Sequence, residues 1–427
     1  MGLSLELGAS ALFSFFLFFL VVVADGDQKI SNREYLAMKR QLRSLTKPGV
    51  KVIKVDKRET CIIICCIYTN VAACAQTKYG DIYDCVDIHK QPSLDHPLLK
   101  NHTVQMAPTN YKPLEVPKKN ASESGSREVD IFLPAGGCPE GTVPVERLTV
   151  EDLIMGRAMR RMKRKEFLQR LNNQSTNNID GYQHHYAIVR AQSRRFYGFS
   201  GKFNVWHPGT VYYSQNSLSE MWLFGGPISN LNTIQAGWMV MYSSKHLNSI
   251  RFYNSDTYRD GCYNLECQGF IRTSTSVTLP VYLHPTSTYN GEQRHVTLQI
   301  NRDTTTNHWW LVYGEEQIPV GYWADEFFHL MLEHATGYDY GGEVVSTTNQ
   351  FPEMGSGHFA EEGYGKAAFM SEIMLIDKAN RLVDAPNDKS VIISNRLCYN
   401  IINDHPRTDP HMGKHIFFGG PSGNCFR

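Results

Sequence analysis

RHVTLQI, residues 294–300, sets Val296, Leu298 and Ile300 at every second position with polar residues between them. That period belongs to a strand with one face in a core, because successive side chains leave a strand on opposite sides. The same period recurs at Tyr197, Phe199, Phe203 and Val205, and SEMWLF (219–224), HWWLVY (308–313) and AFMSEIMLI (368–376) are runs rich in aromatic and aliphatic residues. Gly225-Gly226-Pro227, Asn290-Gly291 and Gly341-Gly342 punctuate them as turns do. Many short strands with few helices predict a mainly β protein, an antiparallel β-sandwich over residues 184–427. One segment breaks the pattern. ADEFFHLMLEHA (324–335) places Phe327, Leu330, Met331 and His334 on one helical face and predicts a helix.

Composition divides the 427-residue chain. All six tryptophans fall between Trp206 and Trp323, whereas residues 25–171 are poorer in aromatics and richer in Lys, Arg and Pro. A smaller mixed domain over 25–171 is expected, then a polar linker over 172–183 that begins NNQSTNN and has little to bury. The smaller domain holds one predicted helix, Val150–Leu171, with Thr149 as N-cap and Glu151 and Asp152 favourably placed in its first turn. Its distal half, RAMRRMKRKEFLQR, is strongly basic: a solvated helix face, or a processing site at Arg160-Arg161 and Lys163-Arg164-Lys165 ahead of the linker.

Residues 1–24 carry an apolar run ending in Val22-Val23-Ala24, short for a membrane span and suited to a signal peptide. No other segment is apolar enough to span a bilayer. Export to the extracellular space follows as an expectation, with vacuole or cell wall as further destinations. Asn101, Asn120 and Asn173 head glycosylation sequons. Ten cysteines in an exported chain predict disulfides, with Cys262–Cys267, Cys398–Cys425 and Cys85–Cys138 as the expected pairs. Hydrophobic residues make up 42% and charged residues 20%, enough for a packed core, and a net charge of +1 gives no general attraction to nucleic acid. Residues 55–76, VDKRETCIIICCIYTNVAACAQ, are anomalous, with four of the ten cysteines. They read either as a buried strand with extra disulfides or as a retained intron of 22 codons, since valine can encode a GT start and Gln76 a CAG end. The second reading is favoured, because deletion joins KPGVKVIK smoothly to TKYGDIYDC.

Common catalytic signatures are missing: there is no GxSxG, HExxH, P-loop or GxGxxG. No Cys/His spacing fits a metal site, His184-His185 and His329…His334 read as ordinary structural or surface histidines, and no cofactor is expected. What remains is a set of blocks: LNTIQAGW (231–238), DGCYNLECQGF (260–270), HWWLVYGEEQIPVGYW (308–323), YGGEVV (340–345), MGSGHFAEEGYGKAAF (354–369) and GDIYDCVDIHKQPSLDHPLLKNHTVQM (80–106). Together they resemble the plant neprosin family of glutamic peptidases over nearly the whole chain. The resemblance implies a propeptide-like domain before a β-sandwich peptidase domain. It also implies cleavage after proline at acidic pH by two glutamates and no metal. The partners expected are a peptide or protein substrate, proline-rich ones included, and the chain's own N-terminal domain as inhibitor. Glu343 matches one family glutamate, but Gln235 stands where the family carries the other. Glutamine cannot relay a proton, though its NH2 can donate to an oxyanion. A related fungal family uses a Gln and a Glu on a similar sandwich, which Gln235 and Glu343 would reproduce. Two readings stay open: an endopeptidase with Glu343 as general base and Gln235 as carbonyl partner, or an inactive peptide-binding pseudopeptidase. Trp238, Trp323 and His358 are candidates for the substrate groove, Trp238 and Trp323 having core packing as the plainer role and His358 a solvated loop.

Overall fold

The structure, a computed structural model, describes residues 31–55, 81–109, 111–115, 125–171, 183–209, 215–227, 230–241, 248–255, 261–264, 269–277, 279–386, 390–403 and 412–424. The signal-peptide, linker, Asn120, Asn173 and 56–76 expectations therefore fall outside the described residues.

The N-terminal unit begins with helix α1 (Asn32–Leu45), closed by a capping box in which the Ser31 hydroxyl accepts from the Glu34 N–H and the Glu34 carboxylate accepts from the Ser31 N–H. Strands β1 (Gly49–Val55), β2 (Asp81–Asp87) and β4 (Thr142–Glu146) form an antiparallel sheet in the order β1-β2-β4. Lys54 pairs with Ile82 in that sheet. Joining Lys54 directly to Thr77 would leave residues 77–81, about five residues, to close the hairpin, an ordinary loop length. Cys85 on β2 is bonded to Cys138, as expected, with the sulfurs 2.05 Å apart. Cys398 is also disulfide-bonded, while Cys425, Cys267 and the four cysteines of 56–76 lie outside the described residues. Helix α2 (Val150–Leu171) covers the predicted span, and Thr149 and Asp152 cap each other reciprocally at its start.

Residues from 183 onward build two large sheets. One has eight strands: β10 (Cys262–Tyr263), β9 (Asn248–Ser255), β8 (Asn232–Met241), β7 (Asn216–Gly225), β16 (Ala335–Ser346), β5 (Gln183–Phe196) and β20 (Val391–Ile393) in order, with β12 (Val281–Tyr282) paired to β9. The other has ten: β11 (Phe270–Arg272), β15 (Ile318–Trp323), β14 (Trp309–Tyr313), β13 (Gln293–Arg302), β6 (Gly198–Asn204), β18 (Ala368–Ile376), β22 (Ile416–Gly419) and β21 (Asn400–Ile402), with β19 (Leu382–Asp384) on β18 and β3 (Ser126–Glu128) on β13. β17 (Gln350–Phe351) pairs with β23 (Gly423–Asn424). β3 is a parallel exception among antiparallel neighbours, and it ties the N-terminal unit to the sandwich.

The period-two residues meet between the sheets. Phe199, Phe203, Val296, Leu298 and Ile300 from one sheet join Ile234, Trp238, Tyr338 and Tyr340 from the other in one buried cluster. Each such side chain removed from water contributes about 1.5–3 kcal/mol. The predicted helix over 324–335 does not form; only Asp325–Phe327 makes a single 3₁₀ turn. Groups of the sandwich take the hydrogen bonds a helix would have made internally. The Leu330 N–H goes to Asn232 Oδ1 at 2.7 Å, and the Met331 carbonyl accepts from the Trp309 indole at 3.2 Å. Phe327, Phe328 and Met331 are buried from this irregular segment, which explains the apolar spacing without a helix. No helix among the described residues is long and apolar enough to cross a membrane.

Candidate active site

Strand parity decides which side chains can act together. On β8, Ile234, Ala236, Trp238 and Val240 point into the core, so Gln235, Gly237, Met239 and Met241 line the opposite face. On β7 that face carries Leu218, Glu220 and Trp222, and on β16 it carries Asp339, Gly341, Glu343 and Val345. The register aligns these positions in rows: Gln235 with Trp222 and Asp339, Gly237 with Glu220 and Gly341, Met239 with Leu218 and Glu343.

Gln235 and Glu343 therefore share a face but not a row. Two strand spacings and four residues separate them, roughly 16 Å between their Cα atoms. The expected direct meeting of the two at one reacting atom is corrected by this register. Glu220 occupies the midpoint of the diagonal between them. It is the diagonal neighbour of both, a relation that places Cα atoms about 7–8 Å apart and within reach of long side chains. Glycines flank Glu220 in its row, and the neighbouring strands pack closely on both. A Cβ on Gly237 would lie 2.6 Å from the Glu220 Cα and 2.0 Å from the Ser219 carbonyl oxygen; Gly341 has φ +140, and a Cβ there would lie 2.4 Å from the Ala187 carbonyl oxygen. Gln235, Glu220 and Glu343 are 1%, 3% and 0% exposed.

Each group has a distinct setting. Glu343 Oε1 lies 2.6 Å from Nδ1 of His184, itself buried, on β5. Gln235 has one long contact, Nε2 to Thr233 Oγ1 at 3.4 Å, and its Oε1 has no hydrogen-bond partner among the described residues. Asp339 is held by Arg190, whose Nε and Nη2 donate to both carboxylate oxygens at 2.5–3.1 Å. Above the Glu343 end lies α2: Met159, with Met155 beside it, packs on Leu218, Met239, Met241 and Val345.

The other candidates are elsewhere. Trp238 has the parity of the core and donates its indole N–H to the Asn204 carbonyl at 2.9 Å, so it is no groove wall. Trp323 is in the ten-stranded sheet, fully buried against Phe270 at 4.9 Å between centroids. His358 lies in a loop, beside Tyr289 and 2.8 Å from Glu362 Oε1, and Gly419 of the ten-stranded sheet packs on its backbone. Asn101 is exposed in a turn, as a glycan acceptor must be. Sequence reasoning missed Glu220. Its signal was present in SEMWLF, a glutamate within a strand that is otherwise apolar, since glutamate is rarely buried without a task. It missed His184 as well, read there as an ordinary structural or surface residue.

A second polar cluster joins the N-terminal unit to the sandwich. His102 reaches Glu326 Oε1 with Nδ1 at 3.1 Å and the Tyr322 hydroxyl with Nε2 at 2.7 Å. The His102 hydrogen bond holds Glu326 down at about 2. Burial, with His102 nearby, lowers His308 to about 4. His308, Asp325 and Glu326 offer three ligand atoms within 4.8 Å of one another, the grouping among the described residues that could hold a cation. His308 contacts Asp325, and Glu326 contacts His102. Gln105 Nε2 and the Thr109 N–H both donate to Asp303 Oδ2 at 2.7 Å.

Residues 213–421 match the family model described as Neprosin, and residues 74–190 match the one described as Neprosin activation peptide. The chain belongs to the neprosin family. That family places it among glutamic-type peptidases, with an activation peptide ahead of the catalytic domain. The activation-peptide match runs into β5, so the first part of that strand, which carries His184, falls within it. Among solved structures, scytalido-glutamic peptidase bound to a peptide-based transition-state analogue is similar at 10% identity and TM-score 0.29, over 57% of this chain and 100% of that one. SCP-B, of the eqolisin family, in complex with the tripeptide Ala-Ile-His, is similar at 11% identity and TM-score 0.29, over 56% and 98%.

Proposed function

We propose that this chain is an exported endopeptidase made in latent form, acting at acidic pH on the carboxyl side of proline, with Glu343 as the general base. The observation that carries the reading is the buried diagonal Gln235–Glu220–Glu343 on one sheet face, with α2 over its Glu343 end. Peptide hydrolysis needs a base to take a proton from water and a group to polarise the carbonyl or protonate the leaving nitrogen. The diagonal supplies carboxylates and an amide on a face long enough for an extended peptide. Glu343 suits the base, because it is buried with His184 Nδ1 2.6 Å from its Oε1, a partner able to orient it. Gln235 offers an amide N–H to the substrate further along the face.

Latency follows from the cover. With Met155 and Met159 seated beside Glu343, a substrate cannot lie on the face until α2 leaves. The basic stretch of α2 suits a cut that would release it. A signal peptide over 1–24 and the Asn101 sequon support export.

The test is incubation of acid-treated protein with a fluorogenic proline-containing peptide from about pH 2.5 to 7, a range bracketing ordinary carboxyl pKa values. Cleavage after proline, strongest at acidic pH and lost in Glu343→Gln, is expected. A peptide that binds but stays intact would make the chain a peptide-binding pseudopeptidase instead.

A further inference from the structure

The Gln235 end of the candidate face holds two buried polar atoms without partners. Gln235 and Trp222 stand directly across from each other on β8 and β7, a relation that sets Cβ atoms about 4.5–5.5 Å apart. Trp222 is 4% exposed and Gln235 1%. The indole Nε1 of Trp222, a donor, and Oε1 of Gln235, an acceptor, both lack a hydrogen-bond partner among the described residues. They do not bond to each other, and Asp339, the acceptor on the other side of Trp222, is taken up by Arg190. A buried group left without a partner costs stability, so a donor and an acceptor side by side point to a ligand that satisfies both. Trp310 has an unpartnered indole as well, but it is enclosed in the core between the sheets.

Two glutamines elsewhere in this chain show what a side-chain amide does for an extended segment. Gln91 Oε1 accepts the Arg272 N–H at 2.8 Å, and its Nε2 donates to the Arg272 carbonyl at 3.1 Å. Gln317 holds Leu114 in the same way, at 2.8 and 2.7 Å. We infer that Trp222 and Gln235 form a remote subsite for the main chain of an extended peptide substrate, in which Gln235 Oε1 accepts a main-chain N–H and the Trp222 indole donates to a main-chain carbonyl. The inference rests on the peptidase reading above.

Phe224 supplies a wall beside the pair. It follows Trp222 on the same face of β7 and stands between Thr233 of β8 and Gly337 of β16. A Cβ on Gly337 would lie 2.3 Å from Phe224 Cε2 and 2.4 Å from Cζ, so the ring lies over that glycine. Phe224 is half-buried, which leaves part of the ring open to an apolar side chain. With Asp339 matched by Arg190, the subsite suits a neutral main chain and an apolar side chain. Gln235 lies roughly 16 Å from Glu343 between Cα atoms. An extended chain advances about 3.3 Å per residue, so the subsite holds a residue about five positions from the bond cleaved at Glu343. A substrate must reach that far to use it, which makes peptide length a determinant of specificity.

The experiment measures kcat/KM of the acid-treated full chain on proline-containing peptides of different length. Short peptides end close to the proline; long ones extend about six residues further on the N-terminal or the C-terminal side, with leucine or serine near the far end. On one side, extension should raise kcat/KM about ten-fold or more, and leucine should exceed serine. Trp222→Phe keeps an aromatic ring without the N–H, and its ratio of long to short should fall about two- to ten-fold below that of wild type. Phe224→Ala should remove the preference for leucine. A merely structural role would lower the rate on both lengths together and leave the ratio where it was. Active wild type with no gain on either side, or with the same gain in Trp222→Phe, overturns the inference and leaves the peptidase reading standing. Wild type without cleavage of any peptide overturns the peptidase reading. Binding of the fluorescein-labelled long peptide then decides the subsite: tighter binding to wild type than to Trp222→Phe upholds it, and equal binding overturns it.

Discussion

Gly237 stands in the row of Glu220, and any side chain there would be driven into the neighbouring strand at Ser219 and Glu220. Overpacking of this kind costs about 1–3 kcal/mol, and here it also displaces the backbone that aims Glu220. Gly237→Ala should lower the denaturation midpoint and abolish peptide cleavage. Gly201→Ala is the control: its added methyl would meet its nearest atom, a ring carbon of Phe199, at 3.6 Å, ordinary contact, and should leave both measurements near wild type. Equal behaviour of the two variants would mean that the face tolerates displacement and that the glycine row has no part in the site. Glu343, named from sequence, and Glu220, overlooked there, show why acids on separate strands could not be paired from sequence. Each is conspicuous as an acid within an apolar stretch, yet a strand reports only its own alternation. The row that a residue shares with its neighbours is set by register between strands far apart in the chain.

At the scale of the element, α2 is the part that decides access. Its capped start at Thr149 and Asp152 is local chemistry, and its span was legible as such. What it covers was not legible, because Met155 and Met159 lie within a stretch whose basic residues dominate its reading. Burying a methionine contributes about 1.5–3 kcal/mol, which corresponds to roughly ten-fold to hundred-fold in the balance between docked and undocked helix. Met159→Asp should therefore raise peptide cleavage by the full, uncleaved chain at least about ten-fold, read as initial rate before any processing on a gel. An unchanged rate would place the barrier to substrate somewhere other than α2. The irregular segment over 324–335 teaches the converse. Its apolar spacing fits a helix, but partners from Asn232 and Trp309 capture its backbone and the ladder never forms.

For the whole molecule, the acid response follows from buried histidines. Burial, with a smaller contribution from His184, lowers His185 to about 4, and burial likewise lowers His308 to about 4. The unfolded chain takes up these protons near 6.5, so it binds more of them than the folded chain between about pH 4 and 6.5. Stability from these two groups is complete above that window and is lost as pH falls through it. Glu326 and Asp303 act lower. His102 bonding keeps Glu326 at about 2; burial pushes Asp303 up, but the Thr109 N–H and Gln105 amide offset it and leave it at about 2. Their contributions persist until pH falls below ordinary carboxyl values. The melting temperature should fall from pH 7 to pH 4, and His308→Gln should shrink that fall; a fall of the same size in the variant would remove His308 from the account. His308 and His102 bridge the sandwich and the N-terminal unit, so the same window weakens the seam that holds the cover in place.

The sequence by itself determined the class of fold, the span of α2 and the Cys85–Cys138 bond, because alternation, caps and residue chemistry act over a few neighbours. Only the tertiary structure decided that Trp238 and Trp323 belong to the core, that 324–335 is not a helix, and that Glu220 lies between Gln235 and Glu343. Those outcomes depend on which rows of β7, β8 and β16 come into register and on which backbone groups other strands capture. Contacts between segments from 22 residues apart, as for Trp309 and Met331, to more than a hundred, as for β7 and β16, fix both, and no local pattern carries them.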